Sequence, residues 1–363
     1  MKTILLPLGA GLVAGFPSLL QNAPSTEGIE ARDESLPNIS LSNIKKIDMK
    51  SGKGRRFSGP FMNTDFPDPS IISVDAVWYA FATSSNGHNI PWAQSQDTYL
   101  STGTDNFNWA LGGSDALPDI GSWANSGGGA WAPDIQKNDA GTFVMYYTAQ
   151  RTGGTHCIGA ATASVVTGPY TPQSSPLVCD DAGGGLIDPS GYDDGTNRWL
   201  LYKVDGNSLG GATTCQGGTP SGSTYEPTPI MIQQMARDAL TLQGGSTTIL
   251  DNQGAANDGV TEAPSLYQIG DGSYVLFYSA HCYSSDDYDI EAAFSSTING
   301  AYGNRIVVLR SADNRGVYGP GGLDIDPNGH SVVFHGRTQA NDPNGIRELY
   351  SADITIQPGS SSI

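Results

Sequence analysis

The chain has 363 residues, and its 36 Asp and Glu outnumber its 18 Lys and Arg. The resulting net charge of −18 would repel nucleic acid phosphates and anionic membrane surfaces, so we expect neither as a partner. A neutral polymer can approach an acidic cleft without this penalty. The 47 Gly and 22 Pro, with few long helix-forming runs, favour an all-β chain of short strands joined by turns.

The N-terminal segment has the layout of a secretory signal peptide. Lys2 precedes an apolar stretch over residues 4–16, and small and polar residues follow around Ala23. The stretch is too short for a spanning helix, and no other segment has about 18 uninterrupted apolar residues. We therefore predict a signal peptide over residues 1–23 and a secreted, extracellular mature protein without a membrane span.

Residues 24–56 are polar, poor in aromatic side chains and end in a basic cluster. Such a composition predicts a loosely attached N-terminal arm. The arm contains a glycosylation sequon that begins at Asn38. The packed domain is predicted to span residues 57–363.

From Phe57 onward, one pattern returns five times, in which a turn rich in Gly, Asp or Asn precedes a strand of aromatic and β-branched residues. The five strands are residues 77–81, 143–147, 199–202, 274–278 and 332–335. Each interval leaves room for about four strands, and radial repetition of four-stranded sheets is typical of propellers. The pattern therefore predicts a five-bladed β-propeller, with a β-sandwich or a solenoid as the alternative.

Four cysteines in an exported chain favour two disulfides over metal ligands or nucleophilic thiols. Three pairings are possible in principle. We favour Cys157 with Cys179, which flank one hairpin-like segment, and Cys215 with Cys282 in two long loops. A bridge at Cys282 would stiffen a loop at the wall of a pocket, and the acidic run over residues 286–289 beyond it is interpreted as a solvated loop.

Three acidic residues stand beside Pro in turns that open repeat units, namely Asp68, Asp188 and Glu262. Turn formation explains any single copy, but all three precede the strand of their repeat by similar distances. Equivalent positions of innermost strands converge on the axis of a radial fold, so the three carboxyls are predicted to share one pocket. Asp134 has a similar position in a fourth unit and is predicted to complete the ring as a substrate-binding residue.

The phrases around these residues resemble those of glycoside hydrolase family 43. The similarity is carried by residues 66–70, 131–134, 187–190 and 262–265. It implies a five-bladed propeller that hydrolyses glycosidic bonds with inversion, which requires one carboxyl as acid and one as base. The resemblance assigns Asp68 as general base, Glu262 as general acid and Asp188 as the carboxylate that tunes and orients the acid.

The remaining candidate site residues are a histidine, an arginine and three aromatic side chains. The resemblance places His335 at the axial channel near a structural calcium ion, and a hydrogen-bonded core histidine is the alternative. Arg337 is expected to bind sugar hydroxyls or a catalytic carboxylate, with a surface ion pair as the alternative. Phe66, Trp92 and Trp131 offer apolar faces for sugar stacking, although packing is the simpler role for Phe66 and an equal one for Trp92.

The resemblance implies a monomeric enzyme that acts on plant cell-wall arabinan or arabinoxylan and needs no cofactor for its chemistry. The first motif resembles the exo-acting members, and no appended domain of the kind common in β-xylosidases fits after residue 350. We therefore expect release of arabinofuranose. β-Xylosidase and endo-arabinanase activities are the alternatives within the family, and a carbohydrate-binding or protein-interaction propeller without catalysis is the alternative outside it.

Overall fold

The structure is a computed structural model that describes residues 38–45, 63–96, 107–210, 215, 225–313 and 316–357. These residues form 21 β-strands and three short 3₁₀ helices, Gly206–Leu209, Gly254–Asn257 and Ser311–Asp313. The predicted signal peptide over residues 1–23 lies outside the described residues. Among the residues that are described, no helix is long and apolar enough to span a membrane.

The strands form five antiparallel sheets, each of which we call a blade. Blade I contains β2 (Ser70–Val74), β3 (Val77–Phe81), β4 (Trp92–Gln96) and β5 (Ala110–Leu111). Blade II contains β6 (Trp131–Lys137), β7 (Phe143–Gln150), β8 (His156–Ala163), β9 (Thr171–Pro172) and β10 (Val178–Cys179). Blade III contains β11 (Leu186–Asp193), β12 (Arg198–Val204), β13 (Ile230–Met235) and β14 (Leu242–Leu250).

Blade IV contains β15 (Thr261–Gln268), β16 (Tyr274–Ala280), β17 (Asp289–Ser295) and β18 (Gly303–Leu309). Blade V contains β19 (Tyr318–Ile325), β20 (Ser331–Arg337), β21 (Glu348–Gln357) and β1 (Asn38–Lys45). The first strand of each blade contacts the first strands of both neighbouring blades, so that β2, β6, β11, β15 and β19 form a closed inner ring. The five-bladed β-propeller predicted from the repeats is therefore confirmed.

Each interface between neighbouring blades has its own hydrophobic cluster. Tyr146 and Leu200 pack between blades II and III, and Leu201 and Tyr278 pack between blades III and IV. The second strand of a blade is covered on both faces, and β7 is buried at all but its last position. This burial explains why the five predicted strands, which lie in β3, β7, β12, β16 and β20, are apolar runs without alternation.

Strand β1 completes blade V by pairing antiparallel with β21, with Asn38 opposite Gln357. Residues 38–45 fall within the segment predicted as a polar arm, so part of that segment is an outer strand. The alternation of Ile39 and Leu41 with serines is the period-two signal of such a strand. The pairing of β1 with β21 covers an edge of β21 that would otherwise be exposed.

Both favoured disulfide pairings are confirmed. Cys157 on β8 is bonded to Cys179 on β10, its direct partner in the sheet of blade II. Cys215, beyond β12, is bonded to Cys282, just beyond β16. The second bridge therefore connects blades III and IV on the side of the propeller where β12 and β16 end.

Candidate active site

Each inner strand has a residue with a left-handed backbone, which lies within the strand or, for β2, two residues before it. These five residues have φ between 42° and 58°, and they are Asp68, Ala132, Asp188, Ala263 and Gly322. At all of them except Asp68 the pairing register with the second strand shifts, which marks a β-bulge, and we refer to all five as bulges. A left-handed backbone costs a non-glycine residue roughly 1–2 kcal/mol, so the surrounding ladder must hold it in place. The motifs read as turns in the sequence are therefore bulges that place polar side chains around the axis.

A bulge removes one backbone N–H from the strand ladder, and that group needs another acceptor. At all five bulges the acceptor is a side chain of the preceding blade, and at four of them it lies on or just beyond the second strand of that blade. These four pairs are Asp68 N with His335 Nδ1 (2.9 Å), Ala132 N with Thr83 Oγ1 (2.8 Å), Asp188 N with Thr148 Oγ1 (3.0 Å) and Gly322 N with Ser279 Oγ (2.9 Å). At the fifth bulge, Ala263 N–H donates to Asp188 Oδ2 at 3.0 Å.

A pocket of about 420 Å³ lies beside the bulges. The structure brings Asp68, Asp188 and Glu262 together in its wall, from blades I, III and IV. The other lining residues are Thr83, Trp131, Ile187, Lys203, Asp205, Asn207, Cys215, Val260, Tyr283, Tyr288 and Arg347. The three carboxyls are thus far apart in sequence and close in space, as the repeat pattern predicted.

Asp68 is held as a carboxylate. It accepts hydrogen bonds from Thr83 Oγ1 at 2.6 Å and from Arg347 Nη1 at 3.2 Å. Burial alone would raise the pKa of Asp68, but Arg347, His335 and the Thr83 hydroxyl together hold that pKa below its ordinary value. An ionised carboxyl at this position can accept a proton from water, as a general base does.

Glu262 and Asp188 form a second, different environment. Glu262 accepts hydrogen bonds from Lys203 Nζ at 3.0 Å and from the Tyr288 hydroxyl at 2.8 Å. Burial and the negative charge of Glu262 raise the pKa of Asp188 to about 8. Because two neighbouring buried carboxylates repel each other, loss of the last proton from the pair is disfavoured, and a pair that retains a proton can serve as an acid.

Two stacked rings contact the ionised carboxyl and this pair. The rings of Tyr288 and His335 have centroids 5.8 Å apart and an interplanar angle of 13°. The Tyr288 hydroxyl contacts Glu262, and His335 Nδ1 lies 3.4 Å from Asp68 Oδ1. Asp68 and Glu262 therefore contact different rings of one stack.

His335 is buried, and burial lowers its pKa to about 3, so the imidazole is neutral. Its Nδ1 accepts the Asp68 N–H, which leaves the proton on Nε2, and Nε2 has no hydrogen-bond partner within the described residues. A protonated Nε2 fits a water better than a calcium ion. In the described part of the chain, no group of three His, Cys, Asp or Glu could hold a metal.

Asp134 lies two residues after its bulge, at the position that Ser70, Ser190 and Asp324 occupy in other blades. It lines an axial cavity of about 40 Å³ together with Asp68 and Asp188, and it does not line the larger pocket. Its carboxylate accepts the Gly191 N–H at 2.7 Å, and burial raises its pKa to about 6. The structure therefore places Asp134 on the ring around the axis with Asp68 and Asp188, but away from Glu262 and the larger pocket.

Of the predicted aromatic side chains, Trp131 lines the pocket. Its indole ring packs on the His156 ring, with centroids 4.2 Å apart, so one face is supported. Phe66 is buried between blades I and V, and Trp92 packs over Gly112. Neither Phe66 nor Trp92 lines the pocket, which agrees with the packing alternative for both.

Arg337 lies behind the pocket wall and is almost completely buried. Its guanidinium donates to the carbonyl of Tyr283 at 2.9 Å and to Asp286 Oδ1 at 2.9 Å. These bonds fix the loop after β16, so the side chain is not available to a sugar. The arginine in the pocket is Arg347, whose guanidinium also lies over the Tyr283 ring at 5.2 Å from the centroid.

The pocket residues that were missed in the sequence include three that contact its carboxyls, namely Lys203, Tyr288 and Arg347. Lys203 carried a usable signal, because a cation inside an otherwise apolar second strand must be paired when the strand is buried. Tyr288 belongs to the acidic run interpreted as a solvated loop, but Tyr288 and Asp289 are both buried. Arg347 follows a turn-rich connection to β21 and belongs to no repeated pattern.

The Cys215–Cys282 bridge belongs to the pocket wall, because Cys215 and Tyr283 both line the pocket. Replacing both cysteines with Ser is expected to lower the free energy of unfolding by about 2–4 kcal/mol and to raise KM several-fold, since the wall loses its link between blades. Replacing Cys157 and Cys179 with Ser is the matched control and should change stability without changing KM. Thermal melts and initial rates check both. Equal KM values in the two double variants would contradict a role for the bridge in the wall.

Comparisons with known proteins agree with this geometry. The profile of Glycosyl hydrolases family 43 matches residues 57–357. Extracellular endo-α-(1→5)-L-arabinanase 1 of Bacillus subtilis (strain 168) is 26% identical over 310 residues, which cover 80% of this chain and 85% of that protein. The probable arabinan endo-1,5-α-L-arabinosidase C of Aspergillus flavus is 28% identical over 303 residues, with coverages of 74% and 81%.

Solved structures show the same fold. The crystal structure of a thermostable family-43 glycoside hydrolase has a TM-score of 0.62 at 24% identity and covers 82% of this chain and 90% of its own. At this level of identity the likeness supports the propeller architecture alone.

Proposed function

Since the chain belongs to glycosyl hydrolases family 43, we propose that it hydrolyses α-L-arabinofuranosyl linkages of plant arabinan or arabinoxylan with inversion and releases terminal arabinofuranose. The observation that carries the proposal is the pocket in which Asp68, Asp188 and Glu262 meet. One carboxyl is held ionised, and within the other two, burial and the negative charge of Glu262 raise the pKa of Asp188. This is the division of charge that acid and base catalysis of glycoside hydrolysis requires.

The proposed step transfers two protons, one from Glu262 to the glycosidic oxygen and one from water to Asp68. Glu262 gives its proton to the glycosidic oxygen while the bond from that oxygen to the anomeric carbon breaks, and the electron pair of the bond stays with the leaving sugar. A water molecule attacks the anomeric carbon from the opposite face and loses a proton to Asp68. The water oxygen thus enters opposite to the leaving oxygen, and the released arabinose has the inverted configuration.

The arrangement around the base and the acid supports inversion over retention. Inverting enzymes hold the two carboxyls about 6.5–9.5 Å apart so that water fits, whereas retaining enzymes hold them about 5–5.5 Å apart. Asp68 is held by Thr83 and Arg347, and Glu262 by a separate set of donors. Asp68 and Glu262 contact different rings of one stack, whose centroids are 5.8 Å apart, and this favours the wider separation.

The choice of arabinose rests on two supports. Trp131 presents a supported apolar ring to the pocket, on which a pentose ring can stack. The relatives in Bacillus subtilis and Aspergillus flavus are named for arabinan. Those names also make endo-acting arabinan hydrolysis the second candidate function.

We also propose that the chain is secreted through the N-terminal segment over residues 1–23, with a catalytic propeller formed by residues 57–363 together with the strand Asn38–Lys45. Two disulfides are expected in an oxidising compartment. The Bacillus subtilis relative is named as extracellular.

A substrate panel tests the function. Purified protein is incubated with nitrophenyl α-L-arabinofuranoside, nitrophenyl β-D-xyloside, linear arabinan and arabinoxylan, and the first soluble products are separated by size. We expect arabinose monomer as the first product from arabinan and cleavage of the nitrophenyl arabinoside. Oligosaccharides as first products would favour the endo-acting candidate. Release of xylose, or sugar binding without turnover on any substrate, would contradict the proposal.

A further inference from the structure

We propose that Lys203 is a positioning residue that sets how tightly the Asp188 and Glu262 pair holds its proton, a role that rests on the proposed function. Lys203 lies on β12 with 2% of its surface exposed. Its Nζ donates to Glu262 Oε2 at 3.0 Å and lies 3.3 Å from Asp205 Oδ1. The ammonium is therefore a buried charge in contact with the acid itself.

The fold shows that a lysine is unusual at this place. The equivalent side chains of the other blades, each of which accepts the bulge N–H of the next blade, are Thr83, Thr148, Ser279 and His335. An ammonium group can only donate hydrogen bonds, so Lys203 cannot accept the bulge N–H of the next blade. Asp188 accepts the N–H of Ala263 in its place, which brings its carboxyl beside Glu262. Lys203 thus replaces a neutral group with a positive charge where two carboxyls meet.

The charged or polar groups around Glu262 are Lys203 on β12, Asp205 just beyond that strand, Asp188 on β11, Ser279 opposite Glu262 on β16, Tyr288 before β17 and, across the pocket, Asp68 and Arg347. Three of these groups are acidic and two are cations, of which Lys203 contacts Glu262 and Arg347 contacts Asp68. Lys203 is therefore the main group whose positive charge offsets the repulsion between Glu262 and the neighbouring carboxyls.

The contact has a direct consequence for proton transfer. A cation beside a carboxyl pair lowers the free energy of the state that has lost its proton. When Glu262 has given its proton to the glycosidic oxygen, Lys203 Nζ and the Tyr288 hydroxyl already stand at hydrogen-bond distance from the new carboxylate. Donors that are in place before the charge develops stabilise it without rearrangement.

The test is the pH dependence of kcat/KM for nitrophenyl α-L-arabinofuranoside. For the wild type we expect an acidic limb below pH 3.8, set by Asp68, and a basic limb near pH 8, set by the pair. Lys203→Met should move the basic limb upward by about one pH unit or more, because the pair then holds its proton more tightly. Lys203→Arg keeps the charge and should keep the limb near its wild-type position.

Two further variants separate this role from packing. Asp205→Asn keeps Lys203 and removes a competing negative charge, so the basic limb should move downward. Lys137→Met makes the same chemical change at an exposed lysine on β6 and should leave the profile unchanged. Circular dichroism and melting temperature establish that each variant is folded.

A folded Lys203→Met variant that loses activity but keeps the wild-type basic limb would overturn the proposal, because packing alone would then explain the residue. If Lys203→Met does not fold, the Asp205→Asn variant provides the test. A basic limb that stays in place or moves upward in that variant would also overturn the proposal. A wild-type protein without activity on any arabinoside would instead refute the proposed function. The two failures are thus distinguishable.

Discussion

Replacing Glu262 with Gln is expected to lower kcat/KM for arabino-oligosaccharides by about 1,000-fold, because the glycosidic oxygen loses its proton donor. Gln keeps the size of the side chain, its carbonyl oxygen can accept from Lys203 and its amide N–H can donate to the Tyr288 hydroxyl, so the pocket should still bind sugar. The loss should be much smaller for nitrophenyl α-L-arabinofuranoside, since nitrophenolate departs without a proton. Steady-state rates on both substrates and calorimetric titration with arabinotriose measure these effects.

Glu226→Gln is the matched control, because Glu226 does not line the pocket and its removal should leave both rates unchanged. Equal losses on the two substrates would argue against Glu262 as the acid. A variant with the full wild-type rate on oligosaccharides would exclude that role.

Replacing Asp68 with Asn is expected to lower kcat/KM by about 1,000-fold on both substrates, because water must be activated whatever the leaving group is. Asn is the suitable substitution, since Asp68 has φ 51° and Asn tolerates a left-handed backbone. Asp75→Asn is the control, because Asp75 is exposed in the turn after β2 and has the same φ of 51°. Rates on both substrates and melting temperatures check the pair of variants.

A loss confined to oligosaccharides would assign Asp68 to the leaving group and would exchange the roles of base and acid. Retained activity on both substrates would remove Asp68 from the mechanism. The contrast between the two variants is therefore more informative than either loss alone.

The blades were predictable because each second strand is buried on both faces. A run such as residues 143–147 then has to be apolar throughout, and the run repeats once per blade. The closing strand β1 was less visible, since it is an outer strand whose apolar residues only alternate. Outer strands face solvent on one side and therefore carry a weaker sequence signal.

The sequence predicted which blades contribute carboxyls to the pocket, but it did not predict the position of each carboxyl relative to its bulge. Equal spacing suggested that Asp68, Asp188 and Glu262 were equivalent, but the bulge of blade IV falls on Ala263, so Glu262 precedes its bulge by one residue. The same bulges place Asp134 two residues later, at the axial cavity. A bulge inserts one residue into one strand, and no count along the sequence reveals it.

The cations of the site depended on tertiary contacts. Arg337 sits in a repeated strand and was an obvious candidate, but its side chain turns to the backbone of the loop after β16. Arg347 reaches Asp68 from a connection without pattern, across 279 residues of sequence. Such a contact follows from how blade V closes against blade I, which only the folded ring determines.

The most direct measurement is the configuration of the first sugar released. Proton NMR in the first minutes of hydrolysis of an α-L-arabinofuranoside distinguishes the two anomers before they equilibrate. A base and an acid that act from opposite sides of a trapped water predict the β-anomer as the initial product. Initial appearance of the α-anomer would mean a covalent intermediate and a short carboxyl separation, and would contradict the roles assigned to Asp68 and Glu262.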